Sequence, residues 1–487
     1  METMAMARRL GCPLPSARPW CTGRFCHGAR ALQTPDLRQW VEKHGGYVSP
    51  GIELSQDGQS GLGLLASQWI PRGQTLIRLP SRLQLGMRSG DANCPADETL
   101  QTIANRVPEE LWSLKLGLKL LNEKAKENSF WWPYISLLPQ RFQTPIFFSG
   151  EEIASLQYPP LIHQVKKRCQ VLYQISSKDI PAVLETCPEE KHPFGGQQVD
   201  GGALGWAMSA VSSRAFRLQN SAGDSERVLL PLIDMCNHSF SPNARLEQIP
   251  TPDNTDFLFQ VVAESSLEKG MPLSLTYGAL SNDYLLLDYG FVVSENPHDR
   301  VELKYDPSLL DVARMAGGLS SQGPQSFTSP APWQQALLAQ LRLQGAGASL
   351  MVTLGGPDIV EGRLLAALRI LYAADVSELR HQDLEQLQQW GSKPPLGFAN
   401  ERNVLRTLAA LSALVLTRSF ATTVEQDRAS LGTLEHSSNQ QLTMGYRLEK
   451  KQMLLDTVEK VMDRLNSLKP DSKVGQEVKA RKGKGFG

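Results

Sequence analysis

Short apolar runs cut by Gly, Pro and polar turns occupy two separate stretches, residues 46–85 and 228 to about 304, with a long run of helical spacing between them. Such runs read as small strands and hairpins. The helical stretch between them is read at about 86–200. From Glu98 to about Lys126 its apolar residues recur with helical spacing: Leu111, Leu114, Leu116, Leu118, Leu120 and Leu121. An aromatic segment, Phe130-Trp131-Trp132-Pro133-Tyr134, precedes a second helix expected around Pro160 to Ile175. A short helix over 35–44 should stop at Gly45-Gly46. The class implied is α+β.

Residues 306–332 are rich in Ser, Gly and Pro and end in Ser329-Pro330-Ala331-Pro332, which reads as a linker. Beyond it, amphipathic runs at 333–343, 361–374, 400–419 and 440–468 read as an all-α domain. The richest apolar stretch, Leu408 to Leu416, is short and contains Ser412, so it reads as a buried helix. No run approaches the ~20 apolar residues that a membrane span needs, and no membrane partner is expected.

Charge excludes another class. The chain of 487 residues carries 50 Lys plus Arg and 50 Asp plus Glu. A dedicated nucleic-acid binder would normally show a basic excess. The seven cysteines are scattered, with no C-x-x-C pair, and there is no H-E-x-x-H, so no metal site is read. The termini differ from the body. Residues 1–34 hold Arg8, Arg9, Arg18, Arg24 and Arg30 against the single acid Glu2, the composition of an organelle transit peptide. The basic tail, 469–487, reads as a solvated, disordered end.

Four motifs are candidates for chemistry. Gly61-Leu62-Gly63-Leu64-Leu65-Ala66 formally matches a dinucleotide fingerprint, but a polar turn precedes it and Pro71-Arg72-Gly73 follows, where a helix would be needed. Its glycines fit better a bare backbone segment that a ligand can approach. In Pro231-Leu232-Ile233-Asp234-Met235-Cys236-Asn237-His238-Ser239 an apolar run ends in crowded polar side chains, which points to a pocket. A hydrolase would need a G-x-S-x-G elbow, and none exists. Tyr277-Gly278 and Asp288-Tyr289-Gly290-Phe291 each set a Tyr beside a Gly, where the ring face can stay open. A helix through Trp206, Ala210 and Val211 would carry Ser213-Arg214 near its end, with a guanidinium suited to clamping a carboxylate.

Taken in order, these motifs resemble those of the SET-domain methyltransferases, and more narrowly the Rubisco large-subunit methyltransferase class. In that class a helical insertion splits the SET domain and a helical substrate-binding domain follows. The resemblance covers about 35–468 and extends to Trp132-Pro133-Tyr134-Ile135-Ser136-Leu137-Leu138-Pro139 and to Asn400-Glu401 with the Leu-rich run to Leu416. It implies a SET domain over 35–305 and a substrate-binding domain over 333–468. No cysteine-rich zinc element follows Tyr289, which fits this class.

The resemblance also implies S-adenosylmethionine as cofactor and a protein substrate bound by the C-terminal helical domain. The backbone of Leu62, Gly63 and Leu64 would lie along the cofactor. Ser213 and Arg214 would hold its carboxylate, and Asn237 and His238 its adenine and amino-acid parts. Tyr277 takes the catalytic position; Tyr289 and Phe291 would line the substrate channel. Asp234 is expected to be structural or bonded to the pocket backbone. The activity implied is protein-lysine N-methylation of a plastid protein, Rubisco large subunit or aldolase by analogy. Histidine methylation, a mitochondrial location, a non-catalytic binding module and a dinucleotide-dependent oxidoreductase stand as alternatives.

Overall fold

The computed structural model describes residues 36–57, 61–87, 95–219, 224–251, 256–319, 326–345, 349–379, 382–391, 393–432 and 437–469. The expected leader, 1–34, and all but the first residue of the expected tail lie outside them. The chain forms two compact units. One comprises Met1–Gly150, Val165–Ala279 and Leu287–Gly290, the other Glu151–Gln164, Leu280–Leu286 and Phe291–Gly487.

In the first unit a four-stranded antiparallel sheet runs in the order Tyr47–Val48, Thr75–Pro80, Phe257–Ala263, Ala244–Pro250. Its central pair sets Ile77 opposite Val261 and Leu79 opposite Phe259, so strands from the two halves of the sequence do join. A register shift between Thr75 and Ile77 lets both Leu76 and Ile77 face the core. The hairpin Ile52–Asp57 with Gly61–Ala66 is antiparallel, and Asn237–His238 pairs in parallel with Ser274–Leu275. The helix Leu37–Lys43 starts on an Asp36 cap, whose carboxylate accepts from Arg38 N–H at 3.0 Å, and Gly45 leaves it with a φ of +77°.

The insertion is helical. Within the stretch of helical spacing from Glu98 to about Lys126, Pro95–Ala104 and Trp112–Ala125 are separated at Pro108, which lacks an N–H and disfavours helix in the residue before it. The expected second helix spans Pro159–Gln174. Trp112–Ala125 crosses Gly201–Ser212 so closely that a Cβ on Gly117 would lie 3.0 Å from the Ala207 carbonyl carbon. Leu114, Leu118, Leu204, Ala207 and Met208 fill that crossing.

The second unit is mainly helical, with Pro332–Gln340, Gly362–Leu371, Leu384–Gln388, Gly397–Ser419, Val424–Leu431 and Ser438–Ser467. Its core includes Leu338, Leu364, Leu368, Leu405, Leu408, Leu411 and Val461. Two features differ from the sequence reading. Met351–Gly355 is a strand, antiparallel to Arg300–Lys304, so the C-terminal part is not all helix. Val352 and Leu354 alternate inward with a period of two, a pattern too short to stand out between glycine-rich turns. The expected linker opens on a helix, Pro307–Ala316. Asp306 caps it and Pro307 fits its first turn, while Leu310 and Ala313 are buried. Residues 320–325 of that stretch lie outside the described residues.

The unit also buries charge. Lys450 Nζ reaches Asp283 at 2.9 Å, Asp299 at 2.7 Å and the Arg300 carbonyl at 2.6 Å. No single described helix is long and apolar enough to cross a membrane; only the bent pair Gly397–Ser419 and Val424–Leu431 qualifies together by length and composition. Leu405, Leu408 and Leu411 of that pair sit in the protein core.

Candidate active site

Gly61–Ala66 is a strand through its whole length, paired from Asp57↔Gly61 to Ile52↔Ala66. Bends follow it rather than a helix, so the dinucleotide geometry is absent. Leu64 is buried and Leu62 packs against the same core, so a ligand here would meet main chain rather than these side chains. At Gly63 a Cβ would stand 2.9 Å from Asn237 Nδ2 and 4.0 Å from the Met235 carbonyl. The bare strand thus lies directly against the second motif.

That motif turns on Leu232, which has a φ of +70°, an uncommon state for a residue with a Cβ. A tight turn over Ile233–Met235 follows, and the chain leaves through Cys236 into Asn237–His238. Asn243 stitches the neighbouring segment: its Nδ2 donates to Pro272 O, and its Oδ1 accepts from Ser274 N–H, both at 2.9 Å. Asp234 is buried in the turn. Its Oδ2 accepts from Tyr134 O–H at 2.6 Å and lies 3.6 Å from Arg214 Nη1, which also donates to the Asp234 carbonyl at 3.1 Å. Burial pushes the Asp234 carboxyl above the usual carboxylate range, and Arg214 and Tyr134 oppose that rise.

Tyr277 sits between two rings. Its centroid is 5.0 Å from that of His238 and 4.9 Å from that of Tyr289, both stacked. Its hydroxyl donates to Cys236 O at 2.9 Å, and its N–H donates to His238 Nδ1 at 3.2 Å. That nitrogen is therefore an acceptor, without a proton. Burial holds the Tyr277 phenol well above its ordinary range and pushes Tyr289 up to about 12, with Asp288 adding to the latter. Both phenols are neutral near pH 7. Asp288 pairs with Arg168 at 2.6 Å, and its carbonyl accepts from Ser212 O–H at 2.9 Å. Gly290 then turns with a φ of +79°, where a Cβ would meet the Gln143 carbonyl carbon at 2.9 Å. Only glycine lets the chain leave Tyr289 this way.

The structure thus brings Gly63, Asn237, His238, Tyr277, Tyr289 and Arg214 into one region of the first unit. Ser213 borders it, but its hydroxyl donates to Ser209 O at 2.7 Å within its own helix. Phe291 belongs to the second unit, where its N–H bonds Leu285 O at 3.4 Å. Asp234 pairs with Tyr134 and Arg214, an arrangement unlike a nucleophile–base–acid relay. Tyr134 and the Cys236 carbonyl were not legible as site groups, since Tyr134 meets its partner from 100 residues away.

A SET domain model matches residues 61–278, and a model described as Rubisco LSMT substrate-binding matches 325–454. The chain carries a SET domain followed by a domain of the Rubisco LSMT substrate-binding type, the make-up of a SET-domain methyltransferase. The actin-histidine N-methyltransferase of Homo sapiens is 25% identical over 448 residues, which are 88% of this chain and 68% of that one. The Gallus gallus protein of the same name is 25% identical over 440 residues, with the same coverage. Among solved structures, the SET domain of LSMT bound to lysine and AdoHcy aligns with a TM-score of 0.63 at 20% identity, covering 89% of this chain and 92% of that one. Rubisco LSMT bound to AdoMet aligns with a TM-score of 0.60 at 21% identity, covering 94% and 98%. These two likenesses bear on the fold.

SET-domain methyltransferases use S-adenosylmethionine, and the residues present fit it. The strand at Gly63 has no side chain of its own, and the Asn237 carboxamide lies against its bare backbone. Arg214 Nε is buried with no hydrogen-bond partner among the described residues, leaving a cationic donor for a carboxylate. Gly63→Ala should displace the Asn237 carboxamide and weaken cofactor binding about tenfold, with stability changed by less than about 1 kcal/mol. Titration calorimetry beside thermal melting would check it.

Proposed function

We propose that the chain is a protein-lysine N-methyltransferase acting on a soluble plastid protein, with Rubisco large subunit and aldolase as the first substrates to try. The observation that carries the chemistry is the stack of His238, Tyr277 and Tyr289 beside the Cys236 carbonyl. When bound, S-adenosylmethionine supplies a methyl group activated on a sulfonium. Main chain at Leu62, Gly63 and Leu64, with Arg214, Asn237 and His238, would hold it. Ser213 would contribute through its position at the helix end, since its hydroxyl is engaged.

The phenol of Tyr277, fixed by its bond to Cys236 O, orients an incoming amine. An aromatic face left open to the site favours a cationic group by about 0.5–2 kcal/mol. A lysine amine, with a free pKa near ~10.4, reaches its neutral, attacking form more readily when a site excludes water. Neither phenol ionises near neutral pH, so no side-chain base is assigned. The protein substrate is taken by the helical C-terminal region, where the substrate-binding model matches.

Histidine methylation is the second reading, favoured by the actin-histidine methyltransferases that match over 88% of the chain. Incubation of the full chain with labelled S-adenosylmethionine and a stromal extract, followed by mass spectrometry, separates the two. Label on a lysine ε-amine supports the first reading; label on an imidazole nitrogen overturns it for the second. Cofactor binding without labelling of stromal, mitochondrial or cytosolic protein would favour a binding module. The Arg-rich, acid-poor residues 1–34 support import into an organelle, and the resemblance to the Rubisco-type class favours the plastid over the mitochondrion. A fluorescent fusion of the full chain that fails to enter plastids would overturn it.

A further inference from the structure

We infer that Tyr134 is a positioning residue of this site: through Asp234 it holds both the Arg214 guanidinium and the carbonyl that anchors the Tyr277 hydroxyl. The inference rests on reading the site as an S-adenosylmethionine pocket.

Tyr134 stands on the short helix Trp132–Ile135, fully buried beside Trp131, Ile135 and Leu138. Its hydroxyl points at a carboxylate that no water reaches, and the 2.6 Å bond is of the short, charge-assisted kind. A buried carboxylate must be paired. Asp234 Oδ1 has no hydrogen-bond partner among the described residues, so the carboxylate rests on the Tyr134 hydroxyl and on Arg214 at 3.6 Å. The same residue offers its carbonyl to Arg214 at 3.1 Å. Two residues on, the Cys236 carbonyl receives the Tyr277 hydroxyl. Asp234 and Cys236 belong to one tight turn and its exit, entered through the strained Leu232.

Loss of the Tyr134 hydroxyl therefore leaves Asp234 two courses. The carboxylate swings toward Arg214 and drags the guanidinium with it, or it takes up a proton and releases the guanidinium. Either displaces Arg214 and loosens the turn under Tyr277. The titratable and charged groups around Asp234 are Tyr134 from the insertion, Arg214 after its helix, Tyr277 from the loop beyond Leu275, and the neighbouring Cys236 thiol. The Tyr134 bond is one of the influences that pull the Asp234 carboxyl down. Removing it raises that carboxyl further, so the acid limb of activity must move to higher pH.

The test uses the full chain, with Tyr134→Phe, Asp234→Asn and the double variant. Calorimetry gives the dissociation constant for S-adenosylmethionine, and near-ultraviolet circular dichroism gives the folded fraction. Tyr134→Phe keeps the ring and Asp234→Asn the volume. Each single variant should bind about tenfold more weakly at full folded fraction. The double variant should bind no worse than the weaker single, because both act through one contact. The acid limb of kcat/KM should move to higher pH in Tyr134→Phe, because the bond that pulls the Asp234 carboxyl down is lost. Unchanged affinity and acid limb in Tyr134→Phe, additive losses, or a loss that only follows unfolding would each overturn the inference. A wild-type chain that binds no S-adenosylmethionine would instead overturn the reading of the pocket, and the inference with it.

Discussion

Tyr277→Phe is expected to lower kcat at least about a hundredfold while the dissociation constant for S-adenosylmethionine changes by less than about threefold. The substitution removes one oxygen and keeps the ring. The stacking of Tyr277 on His238 and Tyr289, at 5.0 Å and 4.9 Å, should survive. The direct loss is the hydroxyl bonded at 2.9 Å to Cys236 O. That carbonyl is left without this donor, which costs about 1–3 kcal/mol if nothing replaces it, tolerable for a chain of this size. Catalysis suffers more, because a misplaced nucleophile forfeits the advantage of a near-attack geometry. Single-turnover rates beside equilibrium binding would separate the two effects. A raised KM with unchanged kcat would make Tyr277 a binding residue only. With Tyr289 pushed up to about 12 and Tyr277 also raised by burial, neither phenol should leave an inflection in the rate below about pH 10.

The sequence carries this site unevenly, for physical reasons. Groups that act through local chain geometry were legible. Gly63, Asn237, His238, Tyr277 and Tyr289 each sit in a short motif whose glycines or crowded polar residues mark close approach, and all fall in one region. Ser213 shows the limit of motif reading: its hydroxyl closes its own helix, a choice that only the local backbone decides. Asp234 is expected from the sequence to be structural or bonded to the pocket backbone; in the structure its carboxylate meets the side chains of Tyr134 and Arg214, and the Tyr134 partner is hidden from the sequence. Tyr134 lies on a different element 100 residues away, and no periodicity connects them. The fold follows the same division. The helical stretch follows from spacing, whereas the joining of two distant strand clusters was implied only by the resemblance. The strand Met351–Gly355 does not, since its stability comes from pairing with Arg300–Lys304, outside its own window. The helix Pro307–Ala316 was masked by composition, although Asp306-Pro307 is a start signal for a helix.

Glu401→Ala is expected to destabilise the C-terminal unit by about 3–5 kcal/mol. Glu401 and Arg369 are both buried, and they meet side by side: Nε to Oε2 at 2.9 Å and Nη2 to Oε1 at 2.7 Å. The remaining guanidinium nitrogen donates to the carbonyls of Leu387 and Gln389 at 2.7 Å and 2.9 Å. Asn400 closes the arrangement by donating to Arg369 O at 2.9 Å. One guanidinium thus ties Gly362–Leu371 to Gly397–Ser419 and to the end of Leu384–Gln388. Alanine would leave that charge in the core with carbonyls but no counter-ion, and an arginine cannot escape by losing its proton. The pair itself need not be favourable overall, because both charges lost their water on burial. An apolar replacement of both, Arg369→Met with Glu401→Leu, should therefore recover most of the loss. Denaturant midpoints for the single and double variants test the two statements together. A loss under about 1 kcal/mol in Glu401→Ala would mean that the carbonyls alone satisfy the cation. A double variant as unstable as the single would mean that the hydrogen-bonded junction, rather than charge compensation, holds the three helices.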